Sequence, residues 1–302
     1  MRSYGAAMRH GAVISSALHR APTPTTQRRT MCAALDSFSE LMQRGLGLRE
    51  RFETHQEPIC EALSERGWYA LDGLLSEDAA LHVRSEAATM HEDGTYTLSY
   101  SRVAETGEKI FRPNVYMREL DGESWRVAPT TVVLVSELMQ ALPSAINRGF
   151  DALSRHQHPR ISSSIFGHKL AVSVADGAFY PKHLDNVGSD GDLRKLTAVY
   201  YMNAGWDADN QGGEIRMYDA LAEQAFTSIA PVGGGGVDRL ILFWSDLMVH
   251  EVLPMRVAGV DGSEYHRHTF TVWLTTENGA SLADALSPLY PLRMVHYPDK
   301  GR

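Results

Sequence analysis

Arg267-His-Thr-Phe-Thr-Val-Trp-Leu274 alternates without a break, placing Arg267, Thr269, Thr271 and Trp273 on one side and His268, Phe270, Val272 and Leu274 on the other. Period two is the period of a β-strand, whose successive side chains point to opposite faces of the sheet. The stretch therefore predicts a strand with one face that sets an arginine among hydroxyls. A guanidinium there needs an anionic partner, because an uncompensated buried charge is costly. Two partners meet that need. One is an acid of the chain itself, in an internal ion pair. The other is a bound dicarboxylate whose far carboxylate meets Arg267 in a bidentate fork, helped by the Thr271 hydroxyl.

Outward from this strand, short alternating segments separated by Gly, Asp and Asn clusters dominate from Ser162 onward. That pattern predicts a mainly β domain with flanking helices (α+β), a double-stranded β-helix of the jelly-roll type. The helices lie upstream. Residues 33–66 read as one or two amphipathic helices interrupted near Pro58, and Ser76 followed by Glu77 and Asp78 caps a helix running to about His91, before Gly94. A helix from Val132 to Leu142 is expected to end at Pro143, with another from Ser144 to Leu153. These helices would buttress one sheet. The expected division is a basic tail over 1–35, a helical support region with the first strands and a long loop over 36–160, the β core over 161–278 and a surface tail over 279–302. No internal repeat is present.

Chemistry enters through two separated segments, Phe179-Tyr-Pro-Lys-His-Leu-Asp-Asn186 and Trp244-Ser-Asp-Leu-Met-Val-His-Glu-Val-Leu-Pro254. On an extended segment His183 and Asp185 lean to the same side and can reach one ion together. By itself a His-x-Asp pair carries little, since 13 histidines and 37 acids produce several by chance. His250 supplies a third ligand from a distant strand. Two imidazoles and a carboxylate on one octahedral face leave the opposite face open, which is the donor set of non-heme Fe(II) oxygenases.

From about Leu170 to Thr276 the chain resembles the 2-oxoglutarate- and Fe(II)-dependent dioxygenases of the prolyl 4-hydroxylase group, and within it the oxygen-sensing HIF prolyl hydroxylase branch. The blocks that carry the resemblance are His183-Leu-Asp-Asn186, Thr197-Ala-Val-Tyr-Tyr-Met-Asn203 with Trp206-Asp207, Gly212-Gly-Glu-Ile-Arg216, Asp238-Arg-Leu-Ile-Leu-Phe-Trp-Ser-Asp246, His250-Glu-Val252 and Arg267 through Trp273. Gly67-Trp-Tyr-Ala-Leu-Asp-Gly-Leu-Leu75 is a weaker echo of the strand that opens the catalytic domain there. The resemblance implies that His183, Asp185 and His250 hold iron and act as the catalytic centre. It implies that Arg267 and Thr271 bind the distal carboxylate of 2-oxoglutarate, that Tyr201 adds a phenolic hydrogen bond, and that Trp273 walls the pocket. The implied cofactors are Fe(II), 2-oxoglutarate as cosubstrate, O2 and ascorbate as reductant; the implied substrate is a protein or peptide, hydroxylated at proline with release of succinate and CO2. Hydroxylation of another residue or of a small molecule stays open, as does a catalytically silent jelly-roll binding module.

Two departures stand out. Where the branch often has a tyrosine before the first histidine, this chain reads Ser173-Val-Ala-Asp-Gly177, so one cosubstrate contact is missing there. The gap from His250 to Arg267 is long, and Ala258-Gly-Val-Asp-Gly-Ser-Glu264 reads as a hairpin extension. Arg256 competes for the carboxylate, but no alternating run surrounds it. His266 and His268 share a strand face opposite Arg267 and read as packed or exposed histidines, since no third ligand accompanies them. Arg112 and Tyr116 fall between Thr95 and Gly122, where related hydroxylases carry a substrate loop; a solvated hairpin is the plainer expectation for both.

Composition sets the outer limits. At 302 residues with 43% hydrophobic content, the chain can bury a sizeable core. A net charge of -8 without a basic stripe gives no reason to expect a nucleic-acid partner. No apolar run approaches the length of a membrane span, and nothing in the sequence sets the oligomeric state. Cys32 and Cys60 both precede the core, so neither a cysteine nucleophile nor a cysteine metal site is expected in it, and such usage suits a reducing, intracellular compartment. No Gly-x-Ser-x-Gly elbow occurs, and Gly233-Gly-Gly-Gly236 leads into a strand where a phosphate loop needs a helix. The first 35 residues hold five arginines (Arg2, Arg9, Arg20, Arg28, Arg29) and no acid. A mitochondrial or plastid transit peptide, a disordered basic tail on a cytoplasmic protein, and an upstream extension with the working start at Met31 all fit that composition.

Overall fold

The computed structural model describes residues 35–102, 109–153, 158–186, 192–218, 224–232, 236–257, 262, 265–279 and 282. The basic stretch before residue 35, most of the glycine run at 233–236, most of the 258–264 extension and nearly all of the tail after 279 lie outside the described residues. Helices α1 (35–44), α2 (Leu48–Glu65), α3 (Glu77–Glu92) and α4 (Pro129–Ala152) precede most of the sheet, and a single turn, α5 (Ala208–Gln211), lies within it. The strands are β1 (Trp68–Asp72), β2 (Thr97–Arg102), β3 (Lys109–Arg118), β4 (Ile161–Ser173), β5 (Tyr180–His183), β6 (Arg194–Tyr201), β7 (Ile215–Tyr218), β8 (Ala225–Ile229), β9 (Arg239–Trp244), β10 (His250–Val252) and β11 (Arg267–Thr276).

These strands form two antiparallel sheets, one of seven strands in the order β1-β9-β6-β11-β4-β3-β2 and one of four in the order β5-β10-β7-β8. From β4 onward the chain passes back and forth between them, with β4, β6, β9 and β11 in the large sheet and β5, β7, β8 and β10 in the small one. That winding is the expected double-stranded β-helix. β11 lies at its centre, paired on one side with β4 and on the other with β6. Its two faces separate as the alternation predicts: Arg267, Thr269, Thr271 and Trp273 line a cavity between the sheets. Phe270, Val272 and Leu274, each at most 1% exposed, join the core that α2, α3 and α4 cover from outside. The segment starting at Gly67 supplies β1, which extends the sheet along β9.

The helix boundaries differ from expectation at both internal prolines. α2 runs through Pro58, and the break falls earlier, at Gly45 and Gly47, both in the left-handed region at φ 68° and 81°. Pro58 is exposed, so the carbonyl it leaves unpaired can meet water. α4 likewise runs unbroken through Pro143. An interior proline costs a helix roughly 3 kcal/mol. Here that cost is outweighed, because α4 buries Leu134, Leu138, Leu142 and Ile146 at or below 1% exposure, each worth about 1.5–3 kcal/mol. Long-range carboxylates complete the helix starts. Glu86 on α3 accepts from the Thr130 and Thr131 amides at 2.9 and 2.8 Å, and Glu137 on α4 accepts from the Leu46 and Leu48 amides at the start of α2. The expected cap at Ser76 is present, its hydroxyl accepting from the Ala79 amide.

Candidate active site

His183 ends β5 and His250 opens β10, and the two residues are directly paired across the small sheet. Asp185 follows in the turn beyond β5. One ligand atom from each of the three lies within 4.8 Å of the others, the only such group among the described residues. Asp185 Oδ1 stands 3.5 Å from His183 Nε2 and 4.0 Å from His250 Nε2, and the side chains are 10%, 12% and 6% exposed respectively. The sheet register therefore brings together what the sequence separates by 65 residues or more.

The surroundings aim the donor atoms inward. His183 Nδ1 lies 2.7 Å from the Pro181 carbonyl, and His250 Nδ1 lies 2.9 Å from the Met248 carbonyl. A carbonyl only accepts, so each Nδ1 carries the proton and each Nε2 keeps its lone pair facing Asp185. The other carboxylate oxygen is already engaged: Thr197 on β6 donates its hydroxyl to Asp185 Oδ2 at 2.7 Å and meets Ser245 Oγ at 2.8 Å. Burial alone would raise the Asp185 pKa. A hydrogen bond from His183 and the charge of His250 and His183, whenever those rings are protonated, together with Arg194 overcome it and hold the carboxyl well below the usual range. Two imidazole lone pairs and one ionised oxygen on one focus fit a divalent transition metal of the iron class.

Arg267 occupies the far end of the same cavity. Along β11, Trp273 pairs with Thr197, the residue that holds Asp185; Thr271, Thr269 and Arg267 then step away from it. Arg267 is 3% exposed, its Nε has no hydrogen-bond partner, and among the described residues no carboxylate pairs with it. The internal ion pair is thus not what satisfies this charge. A buried, orphaned guanidinium facing a metal-type triad fits a dicarboxylate bridging the two. Tyr201 on β6 lies beside it, 5.7 Å from ring centre to guanidinium carbon. Gly213 makes the approach possible: at φ 75° it tolerates a conformation other residues avoid, and a Cβ there would lie 2.9 Å from Arg267 Cδ. Arg256 is elsewhere, with a half-exposed side chain that donates to the Ala208 and Asp209 carbonyls.

Several cavity residues escaped the sequence reading. Lys169 on β4 stands opposite Thr271, and Tyr180 enters from β5. No tyrosine occupies 173–177, yet Tyr180 presents a phenol to this cavity. Burial would raise its pKa, but Lys169, Arg112 and Arg267 together with a hydrogen bond from Ser99 lower it. Thr197 and Ser245 lay inside recognised blocks, but neither had a role until the register showed where they point. His266 precedes β11 and so does not share its face, a correction to the expectation; His268 is packed at 1% exposure and the two rings sit 6.2 Å apart. Arg112 and Tyr116 belong to a true hairpin, β2–β3, at the sheet edge, where Tyr116 packs against His91.

Comparison with known proteins agrees with this geometry. Residues 169–275 match the family described as the 2OG-Fe(II) oxygenase superfamily. A hypoxia-inducible factor prolyl hydroxylase of Caenorhabditis elegans is 28% identical over 249 residues, covering 77% of this chain and 31% of that protein. Egl nine homolog 1 of Homo sapiens is 26% identical over 222 residues, covering 72% of this chain and 46% of that protein. This chain thus spans less than half of the length of these relatives. Among solved structures, a Trichoplax adhaerens prolyl hydroxylase in complex with a hypoxia-inducible factor peptide fragment superposes with a TM-score of 0.55 at 20% identity, over 76% of this chain and 92% of that one. A Pseudomonas putida prolyl-4-hydroxylase gives a TM-score of 0.52 at 23% identity, over 73% and 99%. At such identities these structures speak for the fold. Among the described residues no helix is long and apolar enough to cross a membrane. Over residues 169–275 the chain carries a domain of the 2OG-Fe(II) oxygenase superfamily.

Proposed function

We propose that the chain is a 2-oxoglutarate- and Fe(II)-dependent dioxygenase that hydroxylates a prolyl residue in a protein or peptide. The observation that carries the reading is the pairing, in one cavity, of the His183, Asp185 and His250 triad with the buried and unpartnered Arg267. In this reading the triad holds Fe(II). When bound, the metal supplies the redox chemistry by which 2-oxoglutarate, O2 and a C–H bond become succinate, CO2 and a C–OH group, with ascorbate keeping it ferrous.

The chain's own residues divide the remaining work. Arg267 receives the distal carboxylate of 2-oxoglutarate in a two-point, charge-assisted contact, and Tyr201 beside it donates a hydroxyl. Thr271 lines the path between them and the triad. Trp273 closes one wall at the level of Thr197 and keeps water from the reacting centre. The Pro181 and Met248 carbonyls fix the histidine tautomers, and Thr197 fixes the carboxylate, so the ligands need not reorganise as the cosubstrate binds. The proline-hydroxylating relatives support the choice of substrate class.

The test is turnover. Purified protein with Fe(II), ascorbate, 2-oxoglutarate and a panel of proline-containing peptides is expected to release succinate and to add one oxygen atom to a peptide by mass spectrometry, and His183→Ala is expected to do neither. Equal succinate from the variant and the parent would remove the triad from the reaction. Succinate release with oxygen gained at a residue other than proline would overturn the substrate class alone.

A further inference from the structure

The charges needed for the cosubstrate leave one cation that lines the cavity. Asp185 and the dianion 2-oxoglutarate together balance Fe(II) and Arg267. Lys169 remains. Lys169 lines the cavity on β4 at the level of Thr271, four residues along β11 from Arg267 and roughly 13 Å from it along the strand. The residue is half-buried, and its ammonium has neither a carboxylate nor a hydrogen-bond partner among the described residues. It stands 5.2 Å from the Tyr180 ring centre and 5.6 Å from that of Trp273.

Arg112, from the β2–β3 hairpin, places its guanidinium 4.9 Å from the same Tyr180 ring. Ser99 ties the cluster together: it is fully buried, accepts from Arg112 Nη1 at 3.0 Å and hydrogen-bonds the Tyr180 hydroxyl. Lys169, Tyr180 and Arg112 thus form a cationic and aromatic corner on the β4 side of the cavity, toward the hairpin. Asp185 is held by Thr197 on β6, and Arg267 sits beside Tyr201 of the same strand while its charge also reaches Tyr180. A cation in such a corner is stabilised in part by the rings, but its full complement is an anion.

We propose that Lys169, backed by Arg112 and Tyr180, is a second anion subsite that receives a carboxylate of the prime substrate, so that the preferred peptide carries Asp or Glu close to the residue hydroxylated. This inference rests on the peptide-hydroxylase reading above and adds to it the charge of the substrate. The chain as a whole carries a net charge of -8, so general attraction would disfavour such a peptide and the preference must be local.

The experiment uses the full chain with Mn(II) and saturating 2-oxoglutarate. Labelled proline peptides, identical except for Glu and Asp or Gln and Asn flanking the proline, are bound at two salt concentrations and followed by fluorescence anisotropy. The acidic peptide is expected to bind at least tenfold more tightly at low salt, with the gap narrowing as salt rises. Lys169→Gln is expected to bring the two peptides within about twofold while the 2-oxoglutarate-dependent rise in melting temperature persists; Arg112→Gln serves if the first variant fails to fold. Equal binding of two peptides that are both hydroxylated would overturn the inference alone. So would a Lys169→Gln variant that weakens the 2-oxoglutarate effect as Arg267→Met does, since Lys169 would then belong to the cosubstrate. Binding of neither peptide while succinate release continues would overturn the peptide reading, and this inference with it.

Discussion

Replacing Arg267 with Met should raise the stability of the ligand-free protein and weaken its response to 2-oxoglutarate, two effects of opposite sign from one substitution. Met keeps the apolar stem and removes the guanidinium, whose Nε is buried without a partner. Leaving one buried donor unsatisfied costs about 1–3 kcal/mol, so the variant should gain that much, roughly 2–12 °C in melting temperature for a domain of this size. The ligand side follows from losing one member of a buried, hydrogen-bonded charge pair, worth about 2–5 kcal/mol. At 1.4 kcal/mol per decade, that raises the 2-oxoglutarate concentration required by roughly 30- to 4,000-fold. Thermal unfolding of both proteins with Mn(II), across a 2-oxoglutarate titration, reads both quantities, because a ligand that binds only the folded state raises its melting temperature with concentration. A variant that melts lower without ligand yet keeps the full 2-oxoglutarate shift would refute the reasoning. Arg267 would then be a structural residue, and the dicarboxylate would have another partner.

Other substitutions probe the supports of the site. Thr197→Val removes the hydroxyl that donates to Asp185 Oδ2 while keeping the shape, and should weaken Mn(II) binding about 10- to 100-fold; Thr197→Ser should restore most of it, as measured by equilibrium dialysis. Gly213→Ala should weaken 2-oxoglutarate binding without touching the metal, because a Cβ at φ 75° meets Arg267 Cδ at 2.9 Å; unchanged ligand-dependent melting would contradict this. Burial raises the Asp238 pKa, so folding favours the neutral carboxyl, and that contribution is complete below the ordinary carboxylate pKa and fades as pH rises through the raised one. Asp238→Asn, which keeps an acceptor for the Leu75 amide and the Tyr200 hydroxyl, should therefore melt higher than the parent at pH 7, with the gain shrinking in acid. Asp238→Ala should lose about 1–3 kcal/mol, since both donors are then stranded.

What was legible in the sequence was whatever local periodicity or short spacing encodes. β11 sorted its faces by alternation alone, and His183 and Asp185 shared a side because they lie two apart. Ser76 announced its helix by the acids behind it. Prolines misled for a definite reason: the local rule that Pro58 and Pro143 end helices ignores the tertiary burial along α4 and the solvent-facing position of Pro58. Residues that matter through register were silent. Thr197 touches Asp185 only because β6 runs beneath the triad, and Lys169 meets Tyr180 only because β4 and β5 face each other across the cavity. No spacing along the chain records either contact. The orphaned state of Arg267 is likewise a three-dimensional fact, since the sequence offered 37 acids that could have neutralised it.

The central claim is that three side chains from two strands and a turn hold one ferrous ion. Anaerobic equilibrium dialysis against Fe(II) tests it without turnover or substrate. The account predicts one ion bound per chain in the parent and loss of that ion in His183→Ala, Asp185→Ala and His250→Ala, each with melting behaviour that shows an intact fold. Retention of the ion at full affinity in folded protein lacking His250 would contradict the claim.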